Sequence, residues 1–419
     1  MRENITIVTQ FYPPDFAATG QFIQELAVAL ANEGHNVQVF TGKPSYAFNQ
    51  ADAPREEFAE GVHIVRTRAA KVTPTRIRGK VINSLFYFVR SIVKLRKQLW
   101  RSSHLIFTSA PPFLGLTGWF YNKMFNQSYS CIIYDVYPEV AVRLGVIDGK
   151  ALIVRLWEAI NRKIWKRAKT LIVMNEEMKQ LILSKDPSNA DKIHVVHSWA
   201  DPKFIKPMAK SRNWFALRYQ LDETFTVLYS GNLGRVHDSD TILECVRLLN
   251  HDQRVRFVFI GGGAGLEPIK AATRAKEISN CLILPYQDKE TLPYSLTACD
   301  LALVSLKQQV DGVVAPSKLY SLLAAGKPIA SICHPNSYLR NMLREGDCGE
   351  CFDNGNAAGL AGFISSLMAK PETAEALGQN ARRYFDAYFT LGKAIPLYLE
   401  ALGIPSQARS SALITAEYK

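Results

Sequence analysis

The arrangement of short apolar segments restricts the fold of this chain most strongly. An apolar run, ITIVTQ, is followed by a loop, by a segment with apolar residues at helical spacing, and then by a second apolar run, VQVFTG. Similar runs return as HLIFTS, CIIYDV, TLIVMN and KIHVVHS. Buried strands that alternate with helices are typical of a parallel sheet with helices on both faces.

The alternation is interrupted once. Residues 198–225 contain no clear strand and two prolines, and the pattern then restarts with FTVLYSGNLG, VRFVFIGGGAG, CLILPYQ, LALVSL and PIASIC. We therefore predict an α/β protein with two Rossmann-like, doubly wound parallel-sheet domains that face a cleft. The expected limits are 1–205 for the first domain and 206–385 for the second. A C-terminal helix over 386–405 is expected to cross back to the first domain, and 406–419 form a tail.

The composition is that of a globular protein. Apolar residues make up 47% and charged residues 21% of the 419 residues, which excludes collagen-like, low-complexity and wholly disordered chains. No apolar stretch approaches the 18 residues of a membrane-spanning helix, and the N-terminus does not resemble a signal peptide. The seven cysteines suit reduced thiols, so we expect a cytoplasmic protein.

Positive charge is concentrated in one segment. Of the formal net charge of +12, much comes from residues 66–101, which contain 11 Lys or Arg and no Asp or Glu. Helical spacing within this segment predicts one apolar face, made by Ile82, Leu85, Phe86, Val89, Val93 and Leu99. The cations expected around that face are Arg90, Lys94, Arg96 and Lys97.

A second basic helix is predicted over 153–169, with Trp157 and Trp165 among its cations. Both helices could pack on a sheet with solvated charges. Alternatively, both could lie against an anionic membrane face, with cations at lipid head groups and aromatic rings in the interface. The second interpretation predicts peripheral attachment to the inner face of the plasma membrane through 66–101 and 153–169. Nucleic acid is not an expected partner, because no nucleic-acid motif accompanies the charge.

The segment YSGNLGR is the first candidate for chemistry. It follows a strong strand and contains Gly231, Asn232, Gly234 and Arg235. Glycine allows the backbone to approach a phosphate, the next helix offers its N-terminus, and arginine supplies a bidentate donor. An arginine after a turn could equally be an ordinary surface residue.

The segment APSKLYSLLAAGKP is the second candidate. Ser317 is expected to cap a helix, and Gly326 is expected to end it before Pro328. Lys318 then lies in the first helical turn, where the helix dipole disfavours a cation. The sequence therefore predicts an anionic partner for Lys318.

These segments, with FYPPDFAATGQFIQELAVALANEGHNVQVFT near the start and GECFDNGNAAGLAGFISSLMAKPETAEALGQNARRYFDAYFT near the end, resemble glycosyltransferase family 4. This family comprises retaining GT-B enzymes that use nucleotide sugars, and the resemblance spans nearly the whole chain. The DVYPE and PSKLY segments look most like members that assemble exopolysaccharides of the colanic-acid type.

The resemblance implies roles for individual residues. Gly20 matches the glycine whose loop faces the donor diphosphate, Arg235 matches the arginine that contacts it, and Lys318 matches the basic residue of the PSK segment. Tyr286 and Gln287 match the loop that lines the nucleobase. The remaining donor-binding residues implied by these segments are Gly231, Asn232, Gly234, Pro316, Ser317 and Ser321.

The chain departs from the family pattern at two acidic positions. Counting back from Pro328 places Ser321 and Val313 where many members carry glutamates. Ser321 could still bind a ribose hydroxyl. We predict that the nearest acid, Asp311, contacts the donor sugar, with a solvated loop acid as the alternative.

The resemblance implies transfer of a hexosyl group from a UDP- or GDP-sugar to a hydroxyl, such as that of a lipid or lipid-linked saccharide. No metal and no further cofactor are expected, because Asp238-Ser239-Asp240 precedes a helix and suits a cap. Asp135 and Glu139 are candidates for positioning the acceptor, with structural capping as the alternative. Two alternative functions remain open. One is a catalytically silent scaffold that binds a nucleotide sugar. The other is a nicotinamide-dependent oxidoreductase, which is disfavoured because the first loop of this chain lacks the G-x-G-x-x-G motif.

Overall fold

A computed structural model describes residues 2–15, 18–43, 53–67, 87–95 and 102–405. The chain divides into an N-terminal unit, Met1–His197 with Leu391–Lys419, and a C-terminal unit, Ser198–Thr390. The predicted limits at 205 and 385 differ from these by eight and five residues.

The N-terminal unit contains an eight-stranded sheet in the order β3-β4-β2-β1-β5-β6-β7-β8. Its strands are β1 (Asn4–Val8), β2 (Asn36–Gly42), β3 (Glu56–Ala59), β4 (Val62–Thr67), β5 (His104–Thr108), β6 (Tyr129–Ile133), β7 (Thr170–Val173) and β8 (Ile193–Val195). All neighbours pair in parallel except β3, which is antiparallel to β4 at the edge. The parallel strands are mostly buried because helices cover the sheet.

The helices that accompany this sheet lie between its strands and at the end of the chain. They are α1 (Ala18–Asn32), α2 (residues 87–95), α3 (Leu114–Phe125), α4 (Glu139–Arg143), α5 (Leu152–Arg167), α6 (Glu176–Lys185) and, at the end of the chain, α15 (Leu391–Leu402).

The C-terminal unit contains a six-stranded, fully parallel sheet in the order β11-β10-β9-β12-β13-β14. Its strands are β9 (Phe225–Asn232), β10 (Val255–Gly262), β11 (Cys281–Leu284), β12 (Leu301–Ser305), β13 (Ile329–Ile332) and β14 (Gly349–Phe352). Counted along this unit, the order is 3-2-1-4-5-6, which is that of a Rossmann fold. The predicted doubly wound sheets are thereby confirmed.

The helices of the C-terminal unit connect these strands or follow the last one. They are α7 (Trp214–Arg218), α8 (Ser239–Leu248), α9 (Leu266–Arg274), α10 (Leu292–Thr297), α11 (Lys318–Ala324), α12 (Tyr338–Gly346), α13 (Ala357–Ala369) and α14 (Pro371–Tyr388). In such folds ligands bind beyond the carboxyl ends of the strands, where the strand order reverses. That point lies between β9 and β12 in this sheet, and between β1 and β5 in the first.

The predicted C-terminal helix differs from the observed one. The range 386–405 contains the end of α14, which belongs to the C-terminal unit, and the whole of α15, which belongs to the N-terminal unit. The hydroxyl of Thr170 donates to the Ala401 carbonyl at 2.8 Å, and α15 packs against α1 and β7. The predicted tail, 406–419, lies outside the described residues.

The predicted apolar face of α2 is wrong where it can be checked. Val89 and Val93 are 50% and 69% exposed, whereas Tyr87, Ser91 and Leu95 are buried. The Tyr87 hydroxyl donates to the Thr9 carbonyl at 2.5 Å, so a polar tip on an aromatic ring fixes the helix to the sheet. The predicted positions Ile82, Leu85, Phe86, Arg96, Lys97 and Leu99 lie outside the described residues.

The predicted helix over 153–169 is confirmed as α5, but its tryptophans do not form an exposed aromatic surface. Trp165 is 6% exposed, and Trp157 stacks on Tyr137 at 5.8 Å between ring centroids. Its large exposed apolar side chains are instead Leu152, Ile153 and Leu156. Among the helices in the described ranges, none combines the length and apolar character needed to cross a bilayer.

Candidate functional site

Lys318 lies in the first turn of α11, and its side chain reaches the carboxyl end of β9. The ammonium donates to the Tyr229 hydroxyl and lies 3.5 Å from the Asn232 carbonyl oxygen. Loss of water around Nζ lowers the pKa of Lys318 well below its usual range. In the described part of the chain no carboxylate raises that pKa again, so a bound anion would stabilise the charged form.

The turn from β9 to α8 brings Arg235 to the same edge of the sheet. Gly231 has φ +111°, and a Cβ built on it would lie 3.9 Å from the Lys318 ammonium. Arg235 is exposed and follows Asn232 by three residues, which span at most about 11 Å. Gly234 lies directly before it. Arg235 therefore follows the same short turn whose Asn232 carbonyl oxygen the Lys318 ammonium approaches.

His237 fastens this turn to the end of β12. Its Nδ1 lies 2.6 Å from the Ser305 carbonyl oxygen, which can only accept, so Nδ1 carries the proton and donates. Burial first, and then the nearby Lys318 charge, lower the pKa of His237 to about 3. The ring is therefore neutral near pH 7, and its Nε2 retains an acceptor lone pair.

Glycines at the end of β10 allow the two neighbouring turns to approach closely. Gly261 has φ +126°, and a Cβ there would lie 2.4 Å from the Gly231 carbonyl oxygen. The Tyr286 ring packs against the backbone of Gly261 and Gly262 and remains 55% exposed. The Gln287 amide donates to the Pro285 carbonyl at 2.8 Å. An exposed, supported aromatic surface thus borders the carboxyl ends of β9 and β10.

The start of α11 differs from the sequence expectation. Ser317 has helical angles and its side chain accepts no capping hydrogen bond, so the predicted Ser317 cap is wrong. The segment is set by packing instead, because Pro316 and Leu319 are buried. Gly326, with φ +65°, ends the helix as predicted.

The two positions at which many family members carry glutamate differ in their exposure to solvent. Val313 is completely buried, whereas Ser321 is partly exposed on α11. A donor hydroxyl could therefore reach Ser321 but not Val313.

Asp311 lies beside the carboxyl end of β13. Its carboxylate accepts a hydrogen bond from the backbone N–H of His334 at 3.2 Å. Burial raises the pKa of Asp311. This environment disfavours the alternative of a freely solvated loop acid.

Asp238 caps α8. Its Oδ1 accepts from the backbone N–H of Thr241 at 3.0 Å, and its Oδ2 accepts from the Thr241 hydroxyl at 2.7 Å. The capping interpretation of Asp238-Ser239-Asp240 is thereby confirmed. Within the described ranges, no three His, Cys, Asp or Glu side chains are grouped so that they could hold a metal ion.

Asp135 follows β6 at the carboxyl edge of the N-terminal sheet. It borders a cavity of about 50 Å³, with Phe113, Tyr137 and Trp157 among the other lining residues. Burial raises the pKa of the Asp135 carboxyl to about 6. The Ser109 hydroxyl accepts hydrogen bonds from two backbone N–H groups, those of Tyr134 at 3.0 Å and Asp135 at 3.4 Å, which fixes the segment. A cavity of this size can hold a hydroxyl group.

Glu139 does not lie at the cavity beside Asp135. Its carboxylate contacts the Lys185 ammonium, which also lies 2.6 Å from Glu158. These contacts join α4, α5 and α6, and Glu139 does not line the cavity at Asp135. The structure therefore favours the structural alternative for Glu139.

Gly20 also lies in an unexpected element. It is buried in the first turn of α1 rather than in the preceding loop. A Cβ on it would lie 3.2 Å from backbone atoms of Phe11 and Tyr12. Glycine therefore allows α1 to pack closely against the loop that follows β1.

The sequence did not indicate the contact of Tyr229 with Lys318 or the hydrogen bond of His237 to Ser305. Both contribute through tertiary contacts with Lys318 or Ser305, residues more than 60 positions away. The alternation of side chains along β9 could have placed Tyr229 on one face of the strand. No sequence signal could have indicated its partner.

Comparisons with known proteins find relatives that match both units of the chain. The family profile described as "Glycosyl transferases group 1" matches residues 218–384, and that described as "Glycosyl transferase 4-like domain" matches residues 18–199. The probable glycosyltransferase WbjE of Pseudomonas aeruginosa is 24% identical over 70% of this chain and 72% of its own. The putative colanic acid biosynthesis glycosyl transferase WcaI of Escherichia coli K12 is 25% identical over 75% and 79%.

Solved structures show the same fold. Sucrose-phosphate synthase from Thermosynechococcus elongatus covers 99% of this chain and 100% of its own, with a TM-score of 0.74 at 19% identity. Anabaena HepE in complex with UDP-glucose covers 96% and 100%, with a TM-score of 0.70 at 12% identity. The two parallel α/β sheets are thus those of the GT-B fold. The chain belongs to the group 1 glycosyltransferases, family GT4, which are retaining hexosyltransferases that take the sugar from a nucleotide sugar.

Proposed function

We propose that this enzyme transfers a hexosyl group, with retention, from a UDP- or GDP-sugar to a hydroxyl of a lipid or lipid-linked saccharide at the cytoplasmic membrane face. In this proposal the C-terminal unit binds the donor and the N-terminal unit binds the acceptor. The observation that carries the proposal is Lys318, a desolvated ammonium at the ligand edge of a Rossmann sheet.

The donor site follows from the chemistry of the leaving group. Departure of a nucleoside diphosphate leaves negative charge on phosphate oxygens, which preorganised cations and N–H groups stabilise. Lys318 and Arg235 supply the cations, and the turn of Gly231, Asn232 and Gly234 supplies backbone donors.

We assign the remaining donor contacts to residues near the same edge of the sheet. The exposed Tyr286 ring is assigned to the nucleobase, with Gln287 beside it in the chain. Ser321, in the segment that also contains Pro316 and Ser317, is assigned to a ribose hydroxyl, and Asp311 is assigned to the donor sugar.

The acceptor site is assigned to the cavity at Asp135. In a retaining reaction the acceptor hydroxyl approaches the face from which the diphosphate leaves, and a departing phosphate oxygen can take its proton. Asp135 then needs only to orient the hydroxyl, which its half-buried carboxylate can do by accepting a hydrogen bond.

A donor panel tests the proposal. UDP-glucose is the first donor to try, because HepE binds it in a structure of the same fold. We expect one or more UDP- or GDP-sugars to raise the melting temperature and to give slow hydrolysis, and to give transfer when a lipid extract is added. Absence of any response to every nucleotide would contradict the proposal. Binding without hydrolysis or transfer would favour the silent scaffold, for which the non-acidic Val313 and Ser321 are the motivation.

Membrane attachment is assigned to the exposed face of α5. Leu152, Ile153 and Leu156 are 80%, 49% and 54% exposed, and Arg155 and Lys163 are exposed on the same helix. Apolar residues bordered by cations suit an anionic interface.

We expect Leu152→Gln with Leu156→Gln to lower retention on phosphatidylglycerol vesicles several-fold at low salt. Phe58→Gln, at a side chain that is 75% exposed on β3, is the matched control. Equal retention of both variants in vesicle sedimentation would show that α5 is not the attachment surface.

A further inference from the structure

We propose that His237 binds a hydroxyl group of the donor nucleotide sugar through Nε2, and that this hydrogen bond contributes to the choice of donor. This assignment rests on the proposed function, because it adds a residue to the donor site of the C-terminal unit. His237 lies in the turn between β9 and α8, two residues after Arg235. Its hydrogen bond to Ser305 occupies one ring nitrogen and leaves the other for a ligand.

Three contacts hold the imidazole ring of His237 in place. Nδ1 donates to the carbonyl oxygen of Ser305, the last residue of β12, at 2.6 Å. The backbone N–H of His237 donates to the Gly234 carbonyl at 3.2 Å. The ring meets the Tyr229 ring edge-on, with the centroids 6.0 Å apart and the planes at 76°. Because the two nitrogens of an imidazole point in divergent directions, Nε2 faces away from the Ser305 carbonyl at the end of β12.

Nε2 of His237 is a hydrogen-bond acceptor to which no described residue donates. The hydrogen bond of the imidazole to Ser305 is made by Nδ1, and Nε2 has no partner among the described residues. Burial and then the nearby Lys318 charge lower the pKa of His237 to about 3, so Nε2 is unprotonated near pH 7 and can only accept. The residue is 8% exposed, so little water competes at this position. A hydrogen bond from a ligand to Nε2 would therefore be stabilising.

The imidazole lies close to the ammonium that the proposed function assigns to the donor diphosphate. The Lys318 ammonium is 3.6 Å from the centroid of the Tyr229 ring, and the His237 centroid is 6.0 Å from that same point. The ammonium and the imidazole are therefore no more than about 10 Å apart. The diphosphate of a nucleotide sugar is ionised near pH 7 and has no proton to donate. The two rings attached to it carry hydroxyl groups, so the partner of Nε2 is a hydroxyl of the transferred sugar or of the ribose.

A neutral acceptor suits a position near the diphosphate. A carboxylate there would repel the phosphate charges, whereas an uncharged imidazole can accept from a hydroxyl without opposing the Lys318 ammonium. A site that bonds a ligand hydroxyl also rejects analogues without that hydroxyl, because the protein group is then left unpaired. His237 therefore contributes to donor selection and leaves the charge of the leaving group to Lys318.

Two substitutions separate the roles of the two ring nitrogens. In His237→Asn the side-chain amide nitrogen takes the place of Nδ1 and can donate to Ser305, but no atom replaces Nε2. In His237→Gln the longer side chain brings an amide oxygen to the place of Nε2, while the hydrogen bond to Ser305 is lost. A ligand-binding role predicts the larger loss of donor affinity in His237→Asn, and a purely structural role predicts it in His237→Gln. His251→Asn, at an exposed histidine of the same unit, is the matched control.

The full chain is titrated by calorimetry with UDP-glucose, UDP and inorganic pyrophosphate, with GDP-mannose and GDP as a second pair, and the melting temperature of each ligand-free variant is recorded. We expect His237→Asn to weaken binding of the nucleotide sugar by about tenfold and binding of pyrophosphate by less than about twofold. His237→Gln should retain more of the affinity, and His251→Asn all of it. A loss for the nucleotide sugar but not for its nucleoside diphosphate assigns the hydroxyl to the transferred sugar, and an equal loss for both assigns it to the ribose.

Three results would overturn the role of His237 in donor binding. The first is unchanged affinity of His237→Asn for every probe. The second is a larger loss in His237→Gln than in His237→Asn, accompanied by a lower melting temperature, and the third is an equal loss for pyrophosphate. His237→Phe, which keeps the ring contact with Tyr229, gives the same comparison if His237→Asn does not fold. A wild-type protein that binds no nucleotide would overturn the proposed function as well, whereas wild-type binding that the His237 variants leave unchanged counts against His237 alone.

Discussion

Replacement of Lys318 by methionine is expected to lower the rate of sugar transfer by about 10²–10³-fold, the typical cost of losing one preorganised donor at a developing negative charge. Methionine has similar length but no charge, so the diphosphate loses its most desolvated cationic partner. Steady-state kinetics with saturating acceptor measure this loss, and calorimetry measures the accompanying loss of nucleotide affinity.

The same variant separates a ligand-binding role from a structural one. A desolvated ammonium with no described carboxylate beside it costs free energy in the empty protein. We therefore expect Lys318→Met to leave the melting temperature of the ligand-free protein unchanged or higher. A large decrease in that temperature, with unchanged nucleotide affinity, would show that the contact with Tyr229 is structural.

The pH dependence of UDP binding tests independently whether the Lys318 ammonium contacts the diphosphate. The pKa of Lys318 is lowered in the ligand-free protein, and a bound diphosphate raises it again, so binding takes up a proton above the ligand-free pKa. The affinity of the wild-type protein for UDP should consequently fall as pH rises toward the ordinary lysine value of about 10.4. Lys318→Arg stays charged throughout and should show a flatter profile.

The backbone of the candidate donor segments could be predicted from sequence because its determinants are local. A strand, a glycine turn and an arginine follow one another in YSGNLGR, and the lysine, helix and glycine stop follow one another in PSKLYSLLAAG. Such segments specify their own backbone geometry. The contact of Lys318 with Tyr229, 89 residues earlier in the chain, joins strand to helix and could not be inferred from either segment.

The N-terminal unit was less predictable, because long-range hydrogen bonds overrode the apolar pattern. Val89 and Val93 suggested an inward face for α2, yet the Tyr87 hydroxyl reaches the carbonyls of Thr9 and Phe40 and turns the valines outward. Glu139 has the residue type expected near an acceptor, but Lys185 from α6 binds its carboxylate. Both outcomes depend on elements distant in sequence.

Asp135 borders a cavity whereas Glu139 is bound by Lys185, so we expect substitution of Asp135 to have the second large effect on sugar transfer. Asp135→Asn should lower kcat/KM for the acceptor by about tenfold or more, because the neutral amide oxygen accepts a weaker hydrogen bond from the acceptor hydroxyl than a charged carboxylate does. Nucleotide affinity should be unchanged, since the donor residues belong to the other unit.

The pH dependence of acceptor turnover in the wild-type protein also tests whether the Asp135 carboxylate orients the acceptor. Burial raises the pKa of Asp135 to about 6, and the ionised form is the acceptor of the hydrogen bond, so acceptor turnover should fall as pH decreases through about 6. Asp135→Asn should abolish that part of the profile. Glu139→Gln is the matched comparison: by weakening the contact with Lys185 it should lower the melting temperature while leaving the KM for the acceptor unchanged. If Asp135→Asn behaved like Glu139→Gln in both measurements, the carboxylate would be structural and the acceptor would bind elsewhere.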